Sequence, residues 1–188
     1  PGYKRDKALI GQLVSRSSLE MIKSYKNFLT KRELEGVKEY FEHCFFKKQT
    51  TRPKEDSMIK DALCIYGDPV AEYFLCSKKH LIEKEFKKKL IPTYSYTRLY
   101  YNKQALYKHV DRSACEISAT INIWQDIAWP IYMDGKPYTA KSGDALFYEG
   151  PKYEHWRDPY EGETCCQLFM HYVDEKGKNS EWYMDKRK

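Results

Sequence analysis

Two histidines and one aspartate stand out in this sequence as residues whose types and spacing could bind a metal ion. His109 and Asp111 flank a single valine, and His155 follows in a later segment. Residues two apart in a β-strand project to the same side, so a strand here would let His109 and Asp111 contact one ion together. Two imidazoles and one carboxylate on one face of Fe(II) leave the opposite positions open for O2 and a co-substrate. The set therefore predicts a non-haem iron site.

The segments around these residues have the composition of β-strands. Residues 94–101 are rich in tyrosine and other strand-forming residues, and residues 116–123 alternate between apolar and polar side chains. The pair Asp134-Gly135 is a strong signal for a two-residue hairpin turn. Shorter strands are expected at residues 129–133, 145–148, 153–157 and 164–173. Many short strands separated by turns predict a sandwich or a barrel.

Three runs of sequence resemble a known family of enzymes. The runs YTRLYYNKQALYKHVD, SGDALFYEG and YEHWR are similar to those of the Fe(II)/2-oxoglutarate-dependent oxygenases, on the prolyl-4-hydroxylase-like side, over roughly residues 91–174. The resemblance implies a double-stranded β-helix core (a jelly roll, cupin-like) packed against N-terminal helices, with the iron at one open end. It also implies that a C–H bond is oxidised with O2 while 2-oxoglutarate is converted to succinate and CO2. Tyr100 precedes His109 at a position where such hydroxylases often place a tyrosine that lines the co-substrate pocket.

The chain departs from this family at the residue that should bind the far carboxylate of 2-oxoglutarate. Prolyl hydroxylases usually place a lysine or arginine there, downstream of the distal histidine, whereas residues 165–167 are two cysteines and a glutamine. A dianion needs a cationic partner, and the guanidinium fork of arginine suits a carboxylate. Arg157 should share the strand face of His155, and Arg98 should share a face with Tyr100. We expect Arg157 to be the first candidate for this contact and Arg98 the second.

Composition is consistent with a single enzyme domain in the cytoplasm. The chain has 188 residues and no apolar stretch long enough to span a membrane. Its six cysteines lack zinc-ribbon spacing and are expected to be reduced, which favours a cytoplasmic location. The net charge of +6 and 17 tyrosines raise the question of nucleic-acid binding. However, the lysine runs are interleaved with glutamates, so a solvated surface is the preferred interpretation.

The chain is expected to divide into three parts within one oxygenase domain. Residues 1–90 should be mostly helical support, because Thr30 and Glu33 form a capping box and Asp68-Pro69 is a helix start signal. Residues 91–174 should form the β-core with the metal site, and residues 175–188 a polar tail that frays apart from Trp182 and Tyr183. The polar segment 49–60 should be a loop at the mouth of the active site.

The functional hypothesis is an Fe(II)- and 2-oxoglutarate-dependent dioxygenase that hydroxylates an amino acid or a peptidyl residue. His109, Asp111 and His155 would bind the metal, and Arg157, Tyr100 and Arg98 would bind 2-oxoglutarate. The partner is expected to be a small-molecule or peptide substrate. Two alternatives stay open: a cupin-type metal enzyme that does not use 2-oxoglutarate, and a non-enzymatic β-sandwich binding module.

Overall fold

The chain is mostly β-structure with a few helices. The computed structural model describes residues 22–47 and 53–187. A π-helical turn at His43–Lys47 directly extends the first helix. The α-helices are α1 (Lys31–Glu42), α2 (Pro69–Ser77) and α3 (Lys79–Phe86). The strands are β1 (Lys23–Tyr25), β2 (Lys54–Glu55), β3 (Leu63–Tyr66), β4 (Leu90–Tyr101), β5 (Leu106–His109), β6 (Ile117–Gln125), β7 (Ile131–Met133), β8 (Lys136–Tyr138), β9 (Ala145–Tyr148), β10 (His155–Arg157) and β11 (Thr164–Asp174).

These strands form two antiparallel sheets. The larger has seven strands in the order β1-β9-β6-β11-β4-β3-β2, and the smaller has four in the order β5-β10-β7-β8. Strands β4 and β11 pair along almost their full lengths, which makes them the centre of the large sheet. The sheets and helices agree with the predicted class of a mainly β chain with helices before the β-core.

The helices cover one face of the large sheet. Their apolar side chains, such as Phe41 and Leu75, join one core cluster with Ile121 of β6 and Leu168 of β11. The predicted alternation in β6 therefore places apolar residues on one face and polar residues on the other, and both faces are buried. Its isoleucines pack against the helices, while Ser118, like the other polar residues on the opposite face, is buried between the two sheets.

Local signals in the sequence are confirmed where they involve backbone hydrogen bonds or turn conformation. Thr30 and Glu33 form the capping box of α1, and the Asp68 side chain accepts hydrogen bonds from two amides of α2. Asp134 and Gly135 connect β7 to β8 with φ angles of 46° and 81°. Both values lie in the left-handed region that a tight two-residue hairpin requires.

Two parts of the chain differ from expectation. In the described part of the first 90 residues, β1, β2 and β3 add three short strands to the large sheet beside the expected helices. More of the tail is held than Trp182 and Tyr183 alone: the kinked segment Ser180–Lys186 packs against β4, and Asp185 accepts hydrogen bonds from Tyr66 and Arg112. Residues 49–52 of the expected mouth loop lie outside the described residues. Within the described part of the chain, no helix is both long and apolar enough to cross a bilayer.

Candidate metal centre

Strand pairing brings the two predicted histidine ligands together. Strand β5 ends at His109, strand β10 begins at His155, and these two residues are direct partners across the antiparallel ladder. Their ring centroids lie 4.3 Å apart. The register of a short ladder therefore places both imidazoles at the same end of the small sheet.

The third predicted ligand reaches the site by a different route from the one expected. Asp111 is not in the strand with His109 but just beyond its end, where its amide donates a hydrogen bond to the Gly150 carbonyl at 3.1 Å. Gly150 has no side chain to obstruct this approach. A Cβ at position 150 would overlap the Asp111 carboxylate and lie 2.6 Å from the Cys115 carbonyl oxygen.

The three side chains converge with a geometry suited to one ion. Nε2 of His109 and Nε2 of His155 each lie 3.5 Å from Oδ1 of Asp111, and the three ligand atoms all lie within 4.8 Å of one another. Bonds of about 2.1 Å at right angles separate two ligand atoms by about 3 Å. Small side-chain adjustments are enough to close this triangle around a metal.

The hydrogen bonds of the imidazoles prepare them for metal binding. Nδ1 of His109 lies 2.8 Å from the Tyr107 carbonyl, and Nδ1 of His155 lies 2.8 Å from the Tyr153 carbonyl. A carbonyl oxygen only accepts, so each Nδ1 carries the proton. The lone pair of a neutral ring is then on Nε2, which is the atom facing Asp111. The donor set thus fits Fe(II) in both chemistry and orientation.

The electrostatics of the site reflect the same convergence. Burial alone would raise the pKa of Asp111, but the neighbouring His109 and His155 imidazoles hold it well below its ordinary value. Burial would lower the pKa of His109, yet the Asp111 carboxylate and the Tyr107 carbonyl raise it. Asp111 therefore offers a full negative charge to a metal.

The three candidate ligands line a cavity of about 170 Å³ between the two sheets, which we call the metal cavity. Its walls are largely aromatic, with the side chains of Ser57 and Met58 from the predicted mouth loop. Tyr148 lies against the metal site, its ring 5.2 Å from that of His155. The cavity is lined by Ser57, Met58, Tyr94, Tyr96, Arg98, Leu106, His109, Asp111, Ile131, Tyr148, His155, Phe169 and His171.

The three predicted co-substrate residues lie in different surroundings. Arg98 lines the metal cavity, but its Nε donates to Asp56 at 2.6 Å and its Nη1 donates to the Tyr100 hydroxyl at 2.9 Å. Tyr100 is fully buried. Arg157 lines a neighbouring cavity that shares Ile131 with the metal cavity. Arg98 therefore has a counter-ion, and Arg157 does not border the metal ligands directly.

Sequence reasoning missed the residues that hold Asp111 in place. The Ser118 hydroxyl donates to Oδ2 of Asp111 at 3.3 Å, and its oxygen lies 2.9 Å from Nδ1 of His171. Burial lowers the pKa of His171 to about 4, so this ring is neutral at neutral pH. The polar face of β6 was the available signal for Ser118, whereas Gly150 was visible only as the end of the SGDALFYEG run.

No protein-family model and no curated protein matches the sequence. Solved structures with the same fold are nevertheless found. SnoK, a non-haem α-ketoglutarate-dependent carbocyclase from nogalamycin biosynthesis, superposes with a TM-score of 0.67 at 10% identity, covering 82% of this chain and 80% of its own. A prolyl-4-hydroxylase from Pseudomonas putida gives a TM-score of 0.63 at 14% identity, over 84% of this chain and 94% of its own.

A third similar structure was solved with ligands bound. HygX from Streptomyces hygroscopicus, with nickel, 2-oxoglutarate and hygromycin B, gives a TM-score of 0.66 at 11% identity, over 85% of each chain. At such low identities these comparisons establish a shared fold. The chain thus has the fold of 2-oxoglutarate- and iron-dependent oxygenases.

Proposed function

We propose that this chain is an Fe(II)- and 2-oxoglutarate-dependent oxygenase with the double-stranded β-helix fold. The observation that carries the proposal is the convergence of two Nε2 atoms and one carboxylate oxygen at the wall of a cavity. Two imidazoles and a carboxylate with open positions are typical of non-haem Fe(II) oxygenases. The shared fold with proteins described as α-ketoglutarate-dependent supports the same conclusion.

His109, Asp111 and His155 would hold the metal. Bound Fe(II) with 2-oxoglutarate and O2 supplies the oxidation of a substrate C–H bond, with release of succinate and CO2. Asp111 contributes a negative charge, and the Ser118 hydroxyl on its second oxygen favours coordination through Oδ1 alone. Coordination by a single oxygen leaves more of the metal open to reactants.

Arg157, with Tyr100 and Arg98, would orient 2-oxoglutarate. Arg157 is buried, and it forms no ion pair with a carboxylate among the described residues. A buried cation without an anion is unfavourable, so the distal carboxylate of 2-oxoglutarate would supply the missing charge. The buried hydroxyl of Tyr100, already hydrogen-bonded to Arg98, would fix the position of a co-substrate oxygen.

The substrate would approach from the aromatic side of the cavity. Tyr94, Tyr96 and Phe169 form aromatic walls, and Met58 borders the cavity from the mouth loop. We propose hydroxylation of an amino acid or a peptidyl residue in the manner of prolyl-4-hydroxylases, a group to which one protein of the same fold belongs.

Cys115, Cys165 and Cys166 are buried as thiols, which supports a reducing, cytoplasmic location.

One observation favours a second candidate. The position that carries a cation in prolyl hydroxylases is occupied here by Cys165, Cys166 and Gln167, and Arg157 does not line the metal cavity. A cupin-type metal enzyme on the same β-core would need no partner for a distal carboxylate. This candidate predicts metal binding without 2-oxoglutarate binding.

Co-substrate binding separates these candidates. Protein purified without oxygen and reconstituted with Fe(II) should bind 2-oxoglutarate in a titration followed by calorimetry, and His109→Ala should lose this binding. In a screen of amino acids and prolyl peptides, the substrate should then increase the rate of succinate release. Metal binding without 2-oxoglutarate binding would favour the cupin-type enzyme, and absence of metal binding would refute both.

A further inference from the structure

A second cavity lies beside the metal cavity and opens on a different part of the surface. Its volume is about 200 Å³, and Ile131 borders both cavities. The large sheet contributes Thr120, Leu146 and Gln167 to its lining. Its rim includes the exposed residues Ser24, Lys26 and Thr139, none of which borders the metal site. The cavity therefore has an entrance of its own.

The buried end of this second cavity is cationic and polar. Nη1 of Arg157 donates to the Trp129 carbonyl at 2.6 Å, while Nε is buried with no hydrogen-bond partner. Gln167 accepts a hydrogen bond from Thr120 at 3.3 Å. Among the described residues, the lining contains one acidic residue, Asp144, which lies at the rim. Its carboxylate accepts hydrogen bonds from the backbone amides of Asn27 and Lys141. No acid in the lining is thus committed to Arg157.

The walls between this polar end and the rim are mainly apolar. Ile131, Ala145 and Leu146 are buried, and Tyr138 is partly buried. A ligand that matches these surroundings has a carboxylate at one end and a short hydrocarbon chain. The carboxylate would pair with the guanidinium, and the chain would bury apolar surface.

We propose that this second cavity binds a short aliphatic monocarboxylate through Arg157. This inference rests on the proposed function, in which Arg157 also binds the distal carboxylate of 2-oxoglutarate. One guanidinium then faces two routes of approach, one from the metal and one from the rim at Ser24 and Lys26. A monocarboxylate in the second cavity competes with 2-oxoglutarate without contacting the metal.

Pentanoate is a suitable probe, with pentan-1-ol as its uncharged counterpart. Calorimetric titration of the metal-free full chain should show saturable pentanoate binding and at least tenfold weaker binding of pentan-1-ol. Arg157→Met should weaken pentanoate binding at least tenfold by removing the charge, and Leu146→Phe should do so by filling the cavity. His109→Ala should leave it unchanged, because His109 borders only the metal cavity. Far-ultraviolet circular dichroism and melting temperature establish that each variant is folded.

The second measurement is competition in the metal-loaded protein. Pentanoate should raise the apparent Kd of 2-oxoglutarate in a saturable way, and Leu146→Phe should remove that effect. Pentanoate binding that depends on Arg157 in a protein that does not bind 2-oxoglutarate would support the second site and refute the proposed function. Normal 2-oxoglutarate binding with no pentanoate binding, or with pentanoate binding that is lost in His109→Ala, would overturn this inference and leave the proposed function standing.

Discussion

The carboxylate of Asp111 lies against the bare backbone of Gly150, and the two residues are also joined by a hydrogen bond of 3.1 Å from the Asp111 amide to the Gly150 carbonyl. This contact links the proposed metal ligand Asp111, in one loop, to the turn that follows β9. It leaves no room for a methyl group, so the position of Asp111 depends on the absence of a side chain at residue 150.

Gly150→Ala should therefore weaken metal binding without unfolding the β-core. The added Cβ would push Asp111 away from His109 and His155, and we expect about a 10- to 100-fold loss of affinity, as for other disturbances around metal ligands. Co(II) titration followed by absorption would measure it. Gly36→Ala is the matched control, because a Cβ there meets no atom within 4 Å. Unchanged Co(II) affinity in Gly150→Ala would show that Asp111 does not need this space.

Removing a ligand should abolish the metal-dependent increase in stability. His109→Ala and Asp111→Ala each leave two of the three ligands, and both should fold because the β-core does not depend on them. A metal at 100 times its Kd stabilises a folded protein by about 2.7 kcal/mol. The wild-type melting temperature should rise on adding Mn(II) without oxygen, and neither variant should respond. A full response in either variant would place the metal elsewhere.

Ser118 should position Asp111 as part of the metal site. Ser118→Ala removes the hydroxyl that donates to Oδ2 of Asp111, and we expect metal affinity to fall about 10-fold. Thr120→Val is a matched control on the same face of β6, since Thr120 lines the second cavity and not the metal cavity. If both variants lose affinity equally, the effect is a general one on β6, and a positioning role for Ser118 is refuted.

Arg157 should contribute more to 2-oxoglutarate binding than Arg98. Truncating one partner of a buried charge pair costs about 2–5 kcal/mol, so Arg157→Met should raise the Kd of 2-oxoglutarate at least about 30-fold. Metal affinity should not change. Arg98→Met should have a smaller effect, because Asp56 already neutralises Arg98. The reverse order would make Arg98 the main partner, and no effect in either variant would favour the cupin-type enzyme.

The Asp56–Arg98 ion pair should make stability depend on pH in acid. Burial alone would raise the pKa of Asp56, but Arg98 and the Tyr96 hydroxyl outweigh it and hold the pKa below its ordinary value. The stabilisation is therefore present above the unfolded pKa, about 3.9, and is lost as pH falls through the lower folded pKa.

Asp56→Ala should then lower the free energy of unfolding by about 3 kcal/mol at pH 7, with a smaller loss at low pH. Urea unfolding at several pH values would measure this difference. Glu35→Gln is a suitable control, because the Glu35 carboxylate is largely exposed and its pair with Lys31 should contribute less than about 1 kcal/mol. A deficit in Asp56→Ala that stays constant with pH would contradict the assignment.

Much of the fold could be predicted because its signals are local. The alternation in β6, the turn at Asp134-Gly135 and the capping box at Thr30 each depend on residues close in sequence. The short strands β1, β2 and β3 could not be predicted in this way. Strands of two to four residues contain too little alternation, and their conformation depends on pairing with distant strands.

The candidate site, like the fold, could be predicted only in part from the sequence. The types and spacing of His109, Asp111 and His155, together with the strand pattern around them, were enough to propose a metal. The placement of Asp111 beyond the strand was not predictable, and neither was the placement of Arg98 and Arg157 in two different cavities, because both depend on packing between the sheets. Side-chain alternation identifies the face on which a residue lies, but it does not define the cavity that the residue borders.

The direct pairing of His109 with His155 has a consequence for the thermodynamics of metal loading. The backbone ladder between β5 and β10 already brings the two histidines together. The entropic cost of closing the chain between residues 109 and 155 is thus met by folding, before any ion arrives. In a zinc finger, much of the metal-binding free energy is used to fold the chain. Here that free energy would be available almost entirely as affinity, so the apoprotein should be a preorganised receptor for the metal.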